Sequence, residues 1–355
     1  MARADQRPRA RNWAPHEAPP PEPPSLVARL IEAFARRRAL IHRAGVTASV
    51  LIIAVSATIF LRTLIRIDPQ KFKAAIAGTS GDQITLSFAF TALSYLALTG
   101  YDGLALRHLG IKVPYRLTAL ASFASYALSF TLGFPLVVGG AVRYWIYGPA
   151  GLSAGKVASL TVVAGITFWL GLGLVLGVGF LAASDPIAEI NHFHPLANRL
   201  IGVGLVAALT LYLGWVARMR WRRAAVFADF QLPGVLLTLG QMALGVIDVC
   251  SASAALYVLF PKGARLGYPA FATLYSFAAM LGIASHAPGG LGVFEATILQ
   301  GVGGSQDAVL ASLLLFRGVY YAAPFILAMA LLGGVEAVRR WRFLREAMSA
   351  SSDDE

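Results

Sequence analysis

Charged residues are scarce in this chain. Only 14% of its 355 residues are Asp, Glu, Lys or Arg, whereas soluble proteins carry roughly 25%. Hydrophobic residues make up 57%, and the mean hydropathy is +0.65. A chain this apolar cannot hide its surface in a water-facing fold, so a soluble globular protein is excluded. We predict an all-α polytopic membrane protein.

Residue sets for metal, redox or nucleotide chemistry are also lacking. The single cysteine, Cys250, excludes an intramolecular disulfide and is predicted to pack in an apolar stretch. His192 and His194 have no third ligand nearby, so no metal site is predicted. The string GPAGLSAGKV has Ala150 and Val157 where a phosphate loop needs Gly and Ser or Thr. We therefore expect no cofactor and no ATP hydrolysis.

The basic residues, which give a net charge of +12, are unevenly placed. They cluster before the first apolar run, in a tetrad at residues 218–223, and after the last run at residues 339–345. This pattern is typical of cytoplasmic loops on an anionic leaflet rather than of a nucleic-acid groove. It predicts cytoplasmic N- and C-termini and no nucleic-acid partner.

Composition divides the chain into three parts. Residues 1–43 are rich in Pro and Arg and are predicted to be a disordered cytoplasmic N-terminus. Within them, residues 25–42 have the spacing of an interfacial helix, although a basic flank that only orients the first span fits equally well. Residues 44–340 form the predicted transmembrane domain, and residues 341–355 a short cytoplasmic tail. The first apolar run should remain as an uncleaved anchor.

Two topologies fit the eight apolar stretches, which lie at about 44–61, 84–105, 117–138, 157–183, 200–217, 233–260, 268–284 and 308–338. Eight simple crossings are one. In the other, six segments span, while residues 117–150 and 268–306 enter the membrane and return to the same side. The second topology places more Lys and Arg on the cytoplasmic side, so the positive-inside rule favours it.

The two proposed re-entrant segments share a pattern. An offset of 152 positions aligns Gly140 with Gly292, Ile146 with Ile298, Gly151 with Gly303, Ser153 with Ser305 and Val157 with Val309. It also sets Arg143 opposite Glu295. The two units would have opposite orientations, as in the inverted repeats of secondary transporters, where broken helices meet near the midplane. The predicted break residues are Pro135, Gly139, Gly140, Pro288, Gly289, Gly290 and Gly292.

Four strings carry a family resemblance: TLGFPLVVGGAVRYWIYGPAGLSAGK, TFWLG, SHAPGGLGVFEA and FRGVYYAAPF. In this order they closely resemble the N-terminal membrane domain of the lysylphosphatidylglycerol synthase/flippase family (MprF type), over about residues 45–340. One departure is GVIDVCSA around Asp248, where the family usually has an Asp-Trp pair.

The resemblance implies a bacterial inner-membrane domain that moves aminoacylated phosphatidylglycerol to the outer leaflet, a trait linked to antimicrobial peptide resistance. In the family, a separate soluble domain makes that lipid. Because the chain stops at Glu355, we expect it to lack the aminoacyltransferase domain and not to be an enzyme. The expected partner is a membrane phospholipid, phosphatidylglycerol or its aminoacyl derivative. A separate synthase and a homodimer remain open as further partners.

Ionisable residues inside apolar segments are the functional candidates, since each costs about 2.5 to 3.5 kcal/mol on insertion. Arg143 could grip a lipid phosphate bidentately or snorkel to the headgroups. Glu295 could meet a cationic headgroup or cap a helix start. Asp102, in the string YDG, is predicted to form a turn, and His286 to be a hydrogen-bonding residue at the break.

Arg317 and Asp248 need partners in the membrane interior. Arg317 has Tyr320 and Tyr321 at i+3 and i+4 on a helical face, and its anion could be Glu295, Asp248 or a phosphate. Asp248 has no cation within a helical turn, so it must pair across helices or be neutral. It is a candidate for headgroup binding or proton coupling.

Together these residues favour a lipid translocase, with Arg143 on the phosphate, Glu295 and Asp248 on a cationic aminoacyl group, and Arg317 holding the acidic cluster. A scaffold that recruits a separate synthase is the first alternative. An integral-membrane lipid-headgroup enzyme is weaker, because no nucleophile with a base is apparent.

Overall fold

The computed structural model describes residues 70, 76–133, 135–221, 226–227, 230–231, 233–261, 266–285, 288–303 and 305–352. The predictions for residues 1–43, for the apolar stretch at 44–61 and for His286 lie outside this part of the chain.

The described residues are almost entirely helical, which confirms the all-α prediction. The helices are α1 Gly81–His108, α2 Tyr115–Leu132, α3 Pro135–Tyr147, α4 Ala154–Ala182, α5 Ser184–Asn191, α6 Pro195–Trp221, α7 Val235–Tyr257, α8 Tyr268–Ala284, α9 Val293–Val302, α10 Gln306–Phe316 and α11 Ala323–Ser352. A 3-10 turn, Pro288–Gly290, precedes α9, and a π-helix, Arg317–Ala322, joins α10 to α11. Two short strands, β1 Val226–Phe227 and β2 Phe230–Gln231, pair antiparallel between α6 and α7.

Five helical segments in the described part are long and apolar enough to cross a bilayer. They are Gly81–His108, Ala154–Ala182, Pro195–Met219, Val235–Tyr257 and the continuous run Gln306–Trp341. Each is longer than the ~20 residues that span the hydrocarbon core. The chain is therefore a multi-pass membrane protein.

The other two apolar segments are helix–break–helix units. The first hairpin, residues 115–147, packs α2 against α3, and the second hairpin, residues 268–302, packs α8 against α9. Helix α3 has 13 residues and α9 has 10. At 1.5 Å per residue both are too short for a core about 30 Å thick. These lengths favour the prediction that both hairpins are re-entrant.

The repeat is visible in the helix boundaries. Helices α2 and α8 begin at Tyr115 and Tyr268, and α4 and α10 begin at Ala154 and Gln306. These starts differ by 152 or 153 positions, which is the spacing of the sequence match. Two helix–break–helix units with the same register thus recur in the two halves.

Local backbone details also recur between the halves. Gly151 and Gly303 both have positive φ, at 90° and 67°, and both precede a serine N-cap. Ser153 Oγ accepts the backbone N–H of Lys156, and Ser305 Oγ accepts that of Ala308, each at 3.4 Å. Since a side-chain cap satisfies an otherwise unpaired helical N–H, each serine fixes the start of a membrane-crossing segment.

Glycines in left-handed conformations form the breaks. Gly133, with φ of 79°, ends α2, and Pro135 starts α3. In the second hairpin Gly289, Gly290 and Gly292 have φ of 60°, 65° and 85°. Such φ values strain residues with a Cβ.

The predicted placement of Gly139 and Gly140 at a break is wrong. Both lie inside α3, where the lack of a side chain at Gly139 serves packing. A Cβ on Gly139 would lie 2.9 Å from Arg143 Nη1 and 3.0 Å from Ser129 Oγ. The small residue therefore lets α2 and the Arg143 guanidinium approach the α3 backbone.

Helices α1, α4 and α7 pack together around the two hairpins. Helices α4 and α7 cross at two glycines, where a Cβ on Gly245 would lie 2.6 Å from Gly171 Cα. This crossing and the α1–α7 contact hold α7 in the interior, where it carries Asp248.

Candidate functional site

The first hairpin carries a buried ion pair. Arg143 Nε and Nη2 donate to Asp102 Oδ2 and Oδ1 at 2.9 and 2.7 Å. The side chains are 2% and 0% exposed. This bidentate geometry is the strongest that a guanidinium and a carboxylate form. The snorkelling alternative for Arg143 is therefore not realised, because the guanidinium points into the protein.

Asp102 lies well inside α1, so its predicted role as a turn-former is wrong. A glycine follows Asp102 in the string YDG. Packing against neighbouring helices nevertheless keeps α1 helical across this glycine. The carboxylate also accepts a hydrogen bond from Tyr147 Oη at 3.3 Å. With three donors on its two oxygens, Asp102 is the counterion of Arg143.

A polar cluster surrounds the Arg143 guanidinium. The Tyr126 ring centroid lies 4.9 Å from Arg143 Cζ, which is cation–π distance. Ser125 and Ser129 are buried on α2, and the described part of the chain offers no hydrogen-bond partner to either hydroxyl. Polar groups thus accumulate between α2 and α3.

The second hairpin carries an ion pair of its own. Arg317 Nε donates to Glu295 Oε1 at 2.7 Å, and Arg317 Nη2 lies 2.5 Å from the same oxygen. Arg317 and Glu295 are 13% and 19% exposed, so this pair is more open than the first. Of the three anions proposed for Arg317, the structure provides Glu295.

Glu295 also caps α9. Its Oε2 accepts the N–H of Gly292 at 2.8 Å, while Oε1 faces Arg317. One carboxylate therefore provides the predicted helix cap and is also the counterion of Arg317.

The π-helix sets the surroundings of Arg317. Arg317 Cζ lies 4.4 Å from the centroid of Tyr321, as expected for i+4. Tyr320 turns away, and its hydroxyl lies 2.8 Å from Ser94 Oγ. The i to i+5 hydrogen bonds of a π-helix widen the turn. Tyr320, at i+3, therefore does not lie on the same helical face as Arg317.

Asp248 is held by hydroxyl groups. Ser94 Oγ donates to its Oδ1 at 2.5 Å and Tyr101 Oη to its Oδ2 at 2.9 Å, both from α1. Within the described part of the chain no basic side chain forms an ion pair with it. Asp248 therefore hydrogen-bonds across helices to neutral hydroxyls, and the predicted ion pair with a cation of another helix is not seen among the described residues.

The two breaks lie against each other. A Cβ on Gly289 would lie 3.2 and 3.3 Å from the carbonyl oxygens of Phe130 and Thr131 near the end of α2. Arg317 Nη1 donates to the Gly289 carbonyl at 2.7 Å. The second ion pair is therefore fixed to the point where the hairpins meet.

The sequence predicted four residues of the site, Arg143, Asp248, Glu295 and Arg317, but not the groups that pair with them. The role of Asp102 as the counterion of Arg143 could have been predicted, because these two are the ionisable residues of the apolar segments in the first half. Ser94, Tyr101 and Tyr126 gave no signal, since hydroxyl and aromatic residues are common in membrane helices. No cluster of three or more potential metal ligands occurs among the described residues.

These features define a polytopic α-helical membrane protein with two broken-helix hairpins in repeat, each bearing a charged residue at the same position. The chain belongs to the family described as the lysylphosphatidylglycerol synthase TM region, whose model matches residues 46–328. The family resemblance seen in the sequence is thereby confirmed.

Relatives of two kinds are similar to the chain. It is 32% identical to the uncharacterized protein slr0712 of Synechocystis sp., over 80% of this chain and 89% of that protein. It is 29% identical to the inner membrane protein YbhN of Escherichia coli, over 67% and 75%. It is 25% identical to the phosphatidylglycerol lysyltransferase of Staphylococcus haemolyticus, where the match covers 81% of this chain and only 33% of the relative.

Proposed function

We propose that the chain is a lipid translocase of the bacterial inner membrane that moves phosphatidylglycerol-derived, aminoacylated phospholipid between leaflets. The observation that carries the proposal is the pair of charges at equivalent positions of the two hairpins. Arg143 and Glu295 are 152 positions apart, and each has a counterion on a long helix outside its hairpin. Substrate sites of transporters lie where broken helices of two repeats meet, and ionisable residues in membrane segments mark such sites.

The Glu295–Arg317 pair is best suited to receive the headgroup. An aminoacylated phosphatidylglycerol headgroup carries a phosphate and an ammonium group, which match a guanidinium and a carboxylate. The pair is partly exposed at the break of the second hairpin, so a headgroup can exchange with it. Arg317 then takes the phosphate and Glu295 the ammonium group.

Arg143 has a different part in this proposal. Its guanidinium is saturated on one edge by Asp102, so a lipid phosphate reaches it only when that pair separates. We assign it the phosphate in a second conformation, in which the first hairpin is open. The hairpins enter from opposite sides of the membrane, and both chain termini are cytoplasmic.

The chain does not act as an enzyme in this proposal. The residues of the site are ion pairs and a hydroxyl-bound carboxylate, and none forms a nucleophile with a base. The lipid is therefore received ready-made, and a separate synthase supplies it.

Reconstitution into liposomes tests the function. We expect purified protein to move acyl-labelled lysylphosphatidylglycerol between leaflets, and Glu295→Gln to slow this movement at least about tenfold, because charge-assisted hydrogen bonds contribute about 1.5–3 kcal/mol. Asp185→Asn is the matched control, since Asp185 is 71% exposed and pairs with Arg199 at 3.5 Å.

Two outcomes would reject the proposal. Wild-type protein that moves no lipid would indicate a scaffold. Equal rates in wild-type and Glu295→Gln protein would remove the headgroup role of the second hairpin. In cells, Arg143→Ala and Glu295→Ala should each reduce the outer-leaflet labelling of aminoacylated lipid at normal expression.

A further inference from the structure

Asp248 is an ionisable residue in the membrane interior, and the proposed headgroup site does not include it. It lies mid-way along α7 and is 2% exposed. A buried carboxylate is normally paired with a cation, because an isolated charge is costly in a low-dielectric interior. Two hydroxyl donors are all that Asp248 receives from the described residues.

The helices around Asp248 present tyrosines to it rather than charges. The titratable groups that interact with it are Tyr95 and Tyr101 of α1, Tyr126 of α2, Tyr275 of α8, Tyr320 of the π-helix, and Cys250 of its own helix. Helices α4 and α10 also pack on α7, and their ionisable side chains, Lys156 and Asp307, lie in the first turns. Helix α6, which packs on α7 to a smaller extent, carries Arg199, Tyr212, Arg218 and Arg220.

Protonation of Asp248 reverses a chain of hydrogen bonds. An ionised carboxylate only accepts, so the single Ser94 proton points at Asp248 and Tyr320 Oη must donate to Ser94. A proton on Oδ1 turns Asp248 into a donor. Ser94 then accepts from Asp248, and its own proton turns toward Tyr320. The Tyr320 hydroxyl loses its acceptor and has to donate elsewhere.

These hydrogen bonds connect Asp248 with the structural elements that carry one residue of each ion pair. Tyr320 belongs to the π-helix that carries Arg317, the partner of Glu295. On the other oxygen, Tyr101 is the neighbour of Asp102 in α1, the partner of Arg143. The hydrogen bonds of Asp248 therefore lead to the two elements that carry the counterions, α1 and the π-helix.

We propose that Asp248 is a proton-binding site that couples lipid movement to a proton gradient. The motivating geometry is a buried carboxylate that is held by two hydroxyls of α1 and has no cationic partner among the described residues. This inference rests on the proposed translocase function and adds its energy source. One proton from the acidic side binds the carboxylate, moves with the conformational change, and leaves on the other side as one lipid crosses.

A steady-state measurement in liposomes tests the inference. The probe is acyl-labelled lysylphosphatidylglycerol in vesicles of phosphatidylethanolamine and phosphatidylglycerol, with and without a gradient of one pH unit. If one proton moves per lipid, the gradient shifts the ratio of labelled lipid between leaflets by up to about tenfold. A dye inside the vesicles reports the accompanying proton flux.

Asp248→Asn keeps the size of the side chain and removes the titration. We expect the leaflet ratio of labelled lipid reached by this variant to stop responding to the gradient, whatever its rate of exchange without one. Ser94→Ala, which cuts the link to Tyr320, should also lose most of the response. It serves as the second variant if Asp248→Asn does not fold. Asp185→Asn should respond as the wild type does.

The outcomes separate this inference from the function. Lipid movement that ignores the gradient in wild-type protein overturns proton coupling and leaves the translocase intact. A full gradient response in folded Asp248→Asn or Ser94→Ala overturns the assignment to Asp248. No lipid movement by the wild type overturns the function, and this inference with it.

Discussion

Removing one member of the Asp102–Arg143 pair should destabilise the protein far more than removing both. The variants are Asp102→Asn, Arg143→Gln and the double change. Each single variant leaves one buried charge without its counterion, since both side chains are almost fully enclosed. The double variant leaves two neutral amide groups that can hydrogen-bond to each other.

The magnitude follows from burial. Breaking a buried ion pair by removing one partner costs about 3–5 kcal/mol, whereas replacing the whole pair is often nearly neutral. At about 2–4 °C per kcal/mol, each single variant should lower the melting temperature by about 6–20 °C. The surface pair Arg199–Asp185, with side chains 56% and 71% exposed, should contribute no more than about 1 kcal/mol.

Thermal unfolding in detergent, followed by fluorescence-detected size-exclusion chromatography, measures these shifts. Asp185→Asn is the control and should change the melting temperature by no more than about 4 °C. The reasoning is refuted if the melting temperatures of the single variants equal that of the Asp185→Asn control. It is also refuted if the double variant melts at the temperature expected from adding the two single losses.

Three further variants probe other parts of the fold. Gly245→Ala should destabilise strongly, because its Cβ would meet the Gly171 backbone, whereas Gly165→Ala, with nothing within 4 Å, should not; the same melting assay compares them. Gly303→Ala should also lower the melting temperature, by about 1 kcal/mol or more in stability, since φ is 67° there. A reporter fused after Arg223 should be cytoplasmic, and an external reporter would contradict the six-span topology.

Much of the fold could be predicted because the bilayer constrains it. Membrane segments must be helical and about 20 residues long, so the spans are visible as apolar runs. The breaks at Gly133 and at residues 289–292 follow from glycine and proline, whose backbone preferences are local. Gly139 and Gly140 could not be assigned in this way, because a glycine in a helix for close packing has the same sequence appearance as one at a break.

The site was less predictable, because its partners come from distant parts of the chain. Arg143 meets Asp102 across 41 positions, and Asp248 meets Ser94 across 154. Sequence marks a buried charge as costly, but does not indicate which helix carries its counterion. Asp102 was assigned the wrong role for this reason. The local string YDG favoured a turn, whereas the structure places Asp102 inside α1, in an ion pair with a distant residue.

The placement of the counterions explains how headgroup binding and hairpin movement can be one event. Arg143 and Glu295 lie on short hairpin helices, and their partners Asp102 and Arg317 lie on membrane-crossing segments. A hairpin that moves against its neighbouring span must therefore separate a charge pair. In a low-dielectric interior that separation is costly unless new counterions arrive. In the proposed translocase, a headgroup with a phosphate and an ammonium group would supply both, so that the empty protein stays locked and the loaded one can move.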